Sequence, residues 1–171
     1  MHVLFVCTGN ICRSPMAERL AVAYAEELGI ADLTTSSAGT HAVVGADMEP
    51  TAAKVLAGFG GDSTGFSARL LTAEIAADAD WVLTMSEQHR EKVLSVAPGQ
   101  FSKTFTLKEA VRLAQSSGAR SIPALAEARR DHRNTGEPED ISDPMGKDEE
   151  TFLAVGSEIA ELLGTLLRTV R

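Results

Sequence analysis

The chain has 171 residues, 44% of them apolar and 23% charged, a length and balance that suit one domain with a sizeable core. Its formal charge of −8 argues against a general binder of nucleic acid or acidic membranes, either of which needs an excess of Lys and Arg. No apolar run nears the roughly 18 residues of a membrane span, no signal-peptide pattern opens the chain, and two cysteines make no disulfide framework, so the sequence predicts a protein of the reducing cytoplasm.

In chain order, HVLFVC (2–7) is a short apolar run bounded by a turn-like TGN, the pattern of a buried strand. PMAERLAVAYAEELG, from Pro15, has apolar residues at helical spacing, with proline in its first turn and Gly29 past its end. LTTSSAG (33–39) reads as a second strand and PTAAKVLAGFG (50–60) as a helix opened by proline and closed by glycine. LTAEIAADAD (71–80) is a short helix with Thr72 as N-cap. WVLTM (81–85) is the third strand, followed by a helix over SEQHREKVLSVAP with Ser86 as its N-cap.

KTFTL (103–107) is the fourth strand, leading to a helix from about Lys108 to Gln115. IPALAEARRDHR (122–133) is predicted as one more helix. NTGEPEDISDPMGKD (134–148) is too polar and too broken for an element. EETFLAVGSEIAELLGTLLRTV closes the chain as a long amphipathic helix, with Phe152, Val155, Ile159, Leu162, Leu163 and Leu166 on one side. No repeat, low-complexity tract or linker interrupts this order.

Alternating strands and helices imply an α/β fold, a parallel sheet covered by helices on both faces. Such sheets bind ligands at the carboxyl ends of their strands. VCTGNICRSP (6–15) lies at the end of the first strand, where a binding loop belongs.

A short loop there can turn the N–H groups of successive residues, Thr8 through Cys12, inward as an anion nest, backed by the positive end of the following helix. Gly9 permits a tight turn, and Asn10 suits a brace or a left-handed backbone position. Arg13 adds a planar fork matched to two oxygens of a tetrahedral oxyanion. A thiol at the floor of the nest, Cys7, meets the donors an oxyanion would, which favours the thiolate, and Ser14 is placed to donate to it. A thiolate below a bound phosphate suggests in-line attack and a phosphocysteine. The loop lacks the GK[ST] of a Walker A motif, and no magnesium site accompanies it.

Attack at phosphorus needs an acid for the departing oxygen. Asp143, in DISDPMG, is the strongest candidate because Pro144 stiffens the backbone behind it; Asp140 is a weaker one. The same carboxylate can then activate water.

VCTGNICRSPMAE (6–18), SAGT (37–40) and the DP at 143–144 resemble the low-molecular-weight protein tyrosine phosphatase family, over essentially the whole chain. The resemblance implies an open four-stranded parallel sheet, no metal or other cofactor, and hydrolysis through phosphocysteine. It implies Cys7 as nucleophile, Arg13 as phosphate clamp, Asp143 as general acid, Ser14 as thiolate stabiliser, Asn10 as loop brace and Ser37 as the serine that holds Asn10. Thr8, Gly9, Ile11 and Cys12 complete the substrate-binding loop. Phosphorylated proteins become the expected substrates, and inorganic phosphate the product and a competitive inhibitor.

Two positions depart from the family pattern. Many members carry tyrosine just after DP, where this chain has Met145. FTLKEAV (105–111) and the CTGN opening resemble the family's bacterial protein arginine phosphatases. Those carry threonine where this chain has Ile11, whose branch suits an aromatic ring and offers no hydroxyl to a guanidinium-linked phosphate. Phosphotyrosine is therefore the expected substrate and phosphoarginine the alternative. An arsenate reductase using an external thiol, and a phosphate-binding module without turnover, are the readings from other classes.

Elsewhere the residues read plainly. Cys12 is either packing or a partner that captures an oxidised Cys7 as a disulfide. His41, His89 and His132 read as surface residues without metal-ligand spacing, and Trp81 as core. ARRDHR (128–133) reads as a solvated helix face or a basic rim, and Arg69 as a candidate anchor for a nearby loop.

Overall fold

A computed structural model describes residues 1–170. Strand β1 (His2–Cys7) is followed by α1 (Arg13–Leu28), β2 (Thr34–Gly39), α2 (Pro50–Gly58) and α3 (Ala73–Asp78). Then come β3 (Trp81–Thr84), α4 (Glu87–Val96), a 3-10 segment (Pro98–Lys103), β4 (Thr104–Thr106), α5 (Leu107–Ser117), α6 (Ile122–Ala128) and α7 (Glu149–Thr169). The four strands form one sheet in the order β2-β1-β3-β4, and every pairing is parallel.

The apolar runs fill both sides of that sheet. Val3, Phe5 and Cys7 of β1 join Trp81, Leu83 and Phe105 in a core completed by α1, α2, α5 and α7. Leu4, Val6 and Val82 point the other way, against Ala76 of α3 and Val93 of α4. A strand buried on both faces reads as a continuous apolar run, which is what β1 and β3 show. From β1 the chain winds to β2 on one side and to β3 on the other, so the carboxyl ends of β1 and β3 flank a switch point.

Thr72 and Ser86 do cap α3 and α4, accepting from Ile75 N and His89 N. Among the boundaries that differ from expectation, three have a clear physical cause. Helix α1 starts at Arg13, ahead of Pro15, because the loop enters the helix directly and Pro15 takes a first-turn position that needs no donor. Helix α5 starts at Leu107 under a capping box, in which Thr106 accepts from Glu109 N and the Glu109 side chain accepts from Thr106 N. Helix α6 stops at Ala128, where Arg129 turns back to Glu109 and stacks over Phe105, 3.9 Å from the ring centroid. ARRDHR is thus no helix face.

Candidate active site

The loop between β1 and α1 is held from outside by its carbonyls. Cys7 O, Thr8 O, Gly9 O and Ile11 O accept from the N–H groups of Thr40, His41, Val43 and Glu49, at 2.8–3.0 Å. In a trans peptide the next N–H points opposite to the carbonyl. The N–H groups of Thr8, Gly9, Asn10 and Cys12 are therefore turned away from those donors. Beside the loop opens a cavity of about 170 Å³ lined by Cys7, Arg13, Asp143 and the apolar Ile11, Val43 and Met145. Cys12 caps α1 with no side-chain bond, so its side chain satisfies none of the first amides of the helix.

The SAGT run makes this close fit possible. A Cβ on Gly39 would lie 2.5 Å from the Thr8 carbonyl oxygen, so only glycine lets β2 run this close to the loop.

Asn10, fully buried at φ 56°, braces the loop from within. Its Nδ2 donates to Ser14 Oγ at 3.0 Å and Ser37 Oγ at 2.9 Å, and its Oδ1 accepts from Arg69 N at 2.9 Å. Ser37 Oγ in turn donates to the Glu18 carboxylate. The direction of this chain matters. Glu18 accepts only, so the Ser37 proton points to it, Asn10 donates to both serines, and the Ser14 proton is left for Cys7 Sγ at 2.9 Å. Arg69 also bonds β2, through Nε to Ser37 O at 2.9 Å.

Arg13 is buried, with Nη1 donating to Ile141 O at 2.8 Å and Nη2 lying 3.7 Å from Asp143 Oδ2. Asp143 itself is half exposed, its backbone fixed by the buried Pro144 and its Oδ1 accepting from Met145 N at 3.1 Å. Asp140 points elsewhere, its Oδ1 accepting from Glu87 N at the start of α4, at 2.8 Å. Cys12 is buried with its sulfur 3.1 Å from Met145 Sδ. Burial, then the charge of Glu49, pushes its thiol up to about 12.

His89 reads as a surface residue in the sequence and is instead 5% exposed, with Nε2 2.8 Å from Thr8 Oγ1. Burial, then the Arg13 charge, pulls its pKa down to about 4, so the ring is neutral at pH 7. The signal for its burial is its position one turn before Val93, on the inward side of α4. His41 is exposed and His132 partly so.

A family model described as low molecular weight phosphotyrosine protein phosphatase matches residues 2–123. The chain belongs to that family. Members similar to it include the Escherichia coli K12 low molecular weight protein-tyrosine-phosphatase Etp, 40% identical over 102 residues, or 60% of this chain and 66% of that protein. A Bacillus subtilis protein-arginine-phosphatase is 32% identical over 179 residues, covering 100% of this chain and 97% of the relative. Among solved structures, a low molecular weight protein tyrosine phosphatase from T. tengcongensis superposes with a TM-score of 0.80 at 33% identity, covering 99% of both chains. The family match stops at residue 123, so Asp143 lies outside it. No helix among the described residues is long and apolar enough to cross a membrane.

Proposed function

We propose that the protein hydrolyses phosphotyrosine in proteins through a phosphocysteine on Cys7. The observation that carries this is the convergence on one cavity of a sulfur bonded to Ser14, the Arg13 guanidinium and the Asp143 carboxyl. The phosphoryl oxygens sit in the amide nest and on Arg13. The Cys7 thiolate attacks phosphorus as the bond to the phenolic oxygen breaks, and Asp143 protonates that oxygen. Asp143, now a carboxylate, takes a proton from water as it attacks the phosphocysteine. Cys7 leaves as a thiolate, stabilised by the Ser14 hydroxyl, and inorganic phosphate is released.

Ile11, Val43 and Met145 give the mouth apolar walls that suit a phenyl ring. The full-length resemblance to a protein-arginine-phosphatase supports phosphoarginine as the second reading. Hydrolysis of matched phosphotyrosine and phosphoarginine peptides decides between them. Preference for phosphotyrosine is expected, and preference for phosphoarginine overturns the reading of Ile11. Asp143→Asn should lower kcat/KM about 10²- to 10³-fold on phenyl phosphate and much less on p-nitrophenyl phosphate. Equal losses on both would make Asp143 structural.

In the reducing cytoplasm we place it in, both thiols stay reduced until peroxide oxidises Cys7 to the sulfenic acid. Cys12 then displaces water from it to form a disulfide. Reductant should restore wild type more completely than Cys12→Ser; identical recovery removes this role.

A further inference from the structure

The residues between α6 and α7 that carry Asp143 have neither helix nor strand of their own. Their position is set from one side by a charged clasp. Arg112, on α5, donates from Nε to Glu139 Oε2 and from Nη2 to Glu139 Oε1, both at 3.0 Å, a bidentate pair, and from Nη1 to His132 O. Glu139 is buried, and its N–H reaches Glu87 Oε1 at 3.2 Å. The next two residues are fixed in turn: Asp140 on Glu87 N, and Ile141 with its N–H on Met85 O at 2.7 Å and its carbonyl on Arg13. Asp143 follows two residues later.

The base of the clasp is rigid as well. Glu109, one turn before Arg112 on α5, is buried between Arg90 at 2.9 Å and Arg129 at 3.0 Å, and Arg129 lies over Phe101 and Phe105. Arg90, Glu109, Arg112, Arg129 and Glu139 line a groove of about 590 Å³ beside the loop, in which each buried carboxylate already has its arginine.

We propose that Arg112 is a positioning residue for the reaction: through Glu139 it sets the reach of the Asp143 carboxyl to the leaving oxygen. This rests on Asp143 being the general acid. Removing the partly exposed Arg112 leaves the buried Glu139 carboxylate without its counter-charge, and Glu139 would then turn toward water and carry the loop with it. An acid displaced by about 1 Å loses on the order of 10²-fold where protonation limits the rate.

The test measures kcat/KM on phenyl phosphate and p-nitrophenyl phosphate for wild type, Arg112→Ala, Arg112→Lys, Glu139→Gln, Asp143→Asn and the Arg112→Ala/Asp143→Asn double variant. Arg112→Ala should lose roughly 10- to 100-fold on phenyl phosphate and less than about threefold on p-nitrophenyl phosphate. Glu139→Gln should shift in the same direction by less, and Arg112→Lys should recover part of the loss. In the Asp143→Asn background, Arg112→Ala should cost nothing further on phenyl phosphate. Equal losses on the two substrates, or an undiminished loss in the double variant, overturn the role of Arg112 while leaving Asp143 as the acid. If Asp143→Asn is itself blind to the leaving group, the acid assignment fails, and the clasp with it.

Discussion

Cys7 and Cys12 share one short loop and meet different neighbours. Cys7 faces the Ser14 hydroxyl at the floor of the nest, whereas Cys12 is packed against the Met145 thioether and holds its proton at neutral pH. Nucleophilicity follows the thiolate, so in the resting enzyme the attack on phosphorus we propose falls to Cys7 rather than to Cys12. His89 is the residue whose environment was least legible. Its unfolded-state pKa of 6.5 falls to about 4 in the fold. Between those values the unfolded chain binds a proton that the folded ring refuses, so this contribution to stability is full above pH 6.5 and is lost as pH falls toward 4. Wild type should lose about 2 kcal/mol more than His89→Gln between pH 7 and pH 5, read by urea denaturation. Equal losses would show that the buried ring does not carry the effect.

At the scale of elements, the loop works because β2 supports it from beside and α1 from behind. Gly39 is the contact point. Gly39→Ala forces its Cβ against the Thr8 carbonyl oxygen and Ala42, neither of which has slack. We expect a loss of about 1–3 kcal/mol in stability and a larger proportional loss of kcat/KM, because the displaced Thr8 peptide belongs to the nest. Gly58→Ala, where an added Cβ meets nothing within 4 Å, is the control and should leave kcat/KM unchanged. A Gly39→Ala protein as active as the Gly58→Ala protein would contradict the contact. Strands and helices here announced themselves through apolar runs and caps: Thr72 and Ser86 were readable as caps, whereas Thr106 was hidden inside an apolar run that also read as strand. Helix α6 ended early because Arg129 found Glu109 and Phe105, partners that no local pattern displays.

Across the whole molecule, the grouping of Cys7, Asn10, Arg13 and Ser14 in one buried loop was legible, since they are close in sequence. The strand order was not, because it depends on which faces of β1 and β3 the helices cover. Nor was the route by which Asp143 arrives, so far along the chain from Cys7: Met85, just past β3, and Arg112 on α5 pin residues 139–141, and Arg13 takes the Ile141 carbonyl. Long-range ion pairs and backbone bonds of this kind leave no periodicity to read. The covalent step on Cys7 is tested most directly by rapid quench of Asp143→Asn turning over p-nitrophenyl phosphate, with peptide mapping by mass spectrometry. Without its base for water the phosphoenzyme should accumulate, with phosphate on the Cys7 peptide and none on that peptide in Cys7→Ser. Steady turnover with no phosphate on Cys7 at any quench time would contradict it.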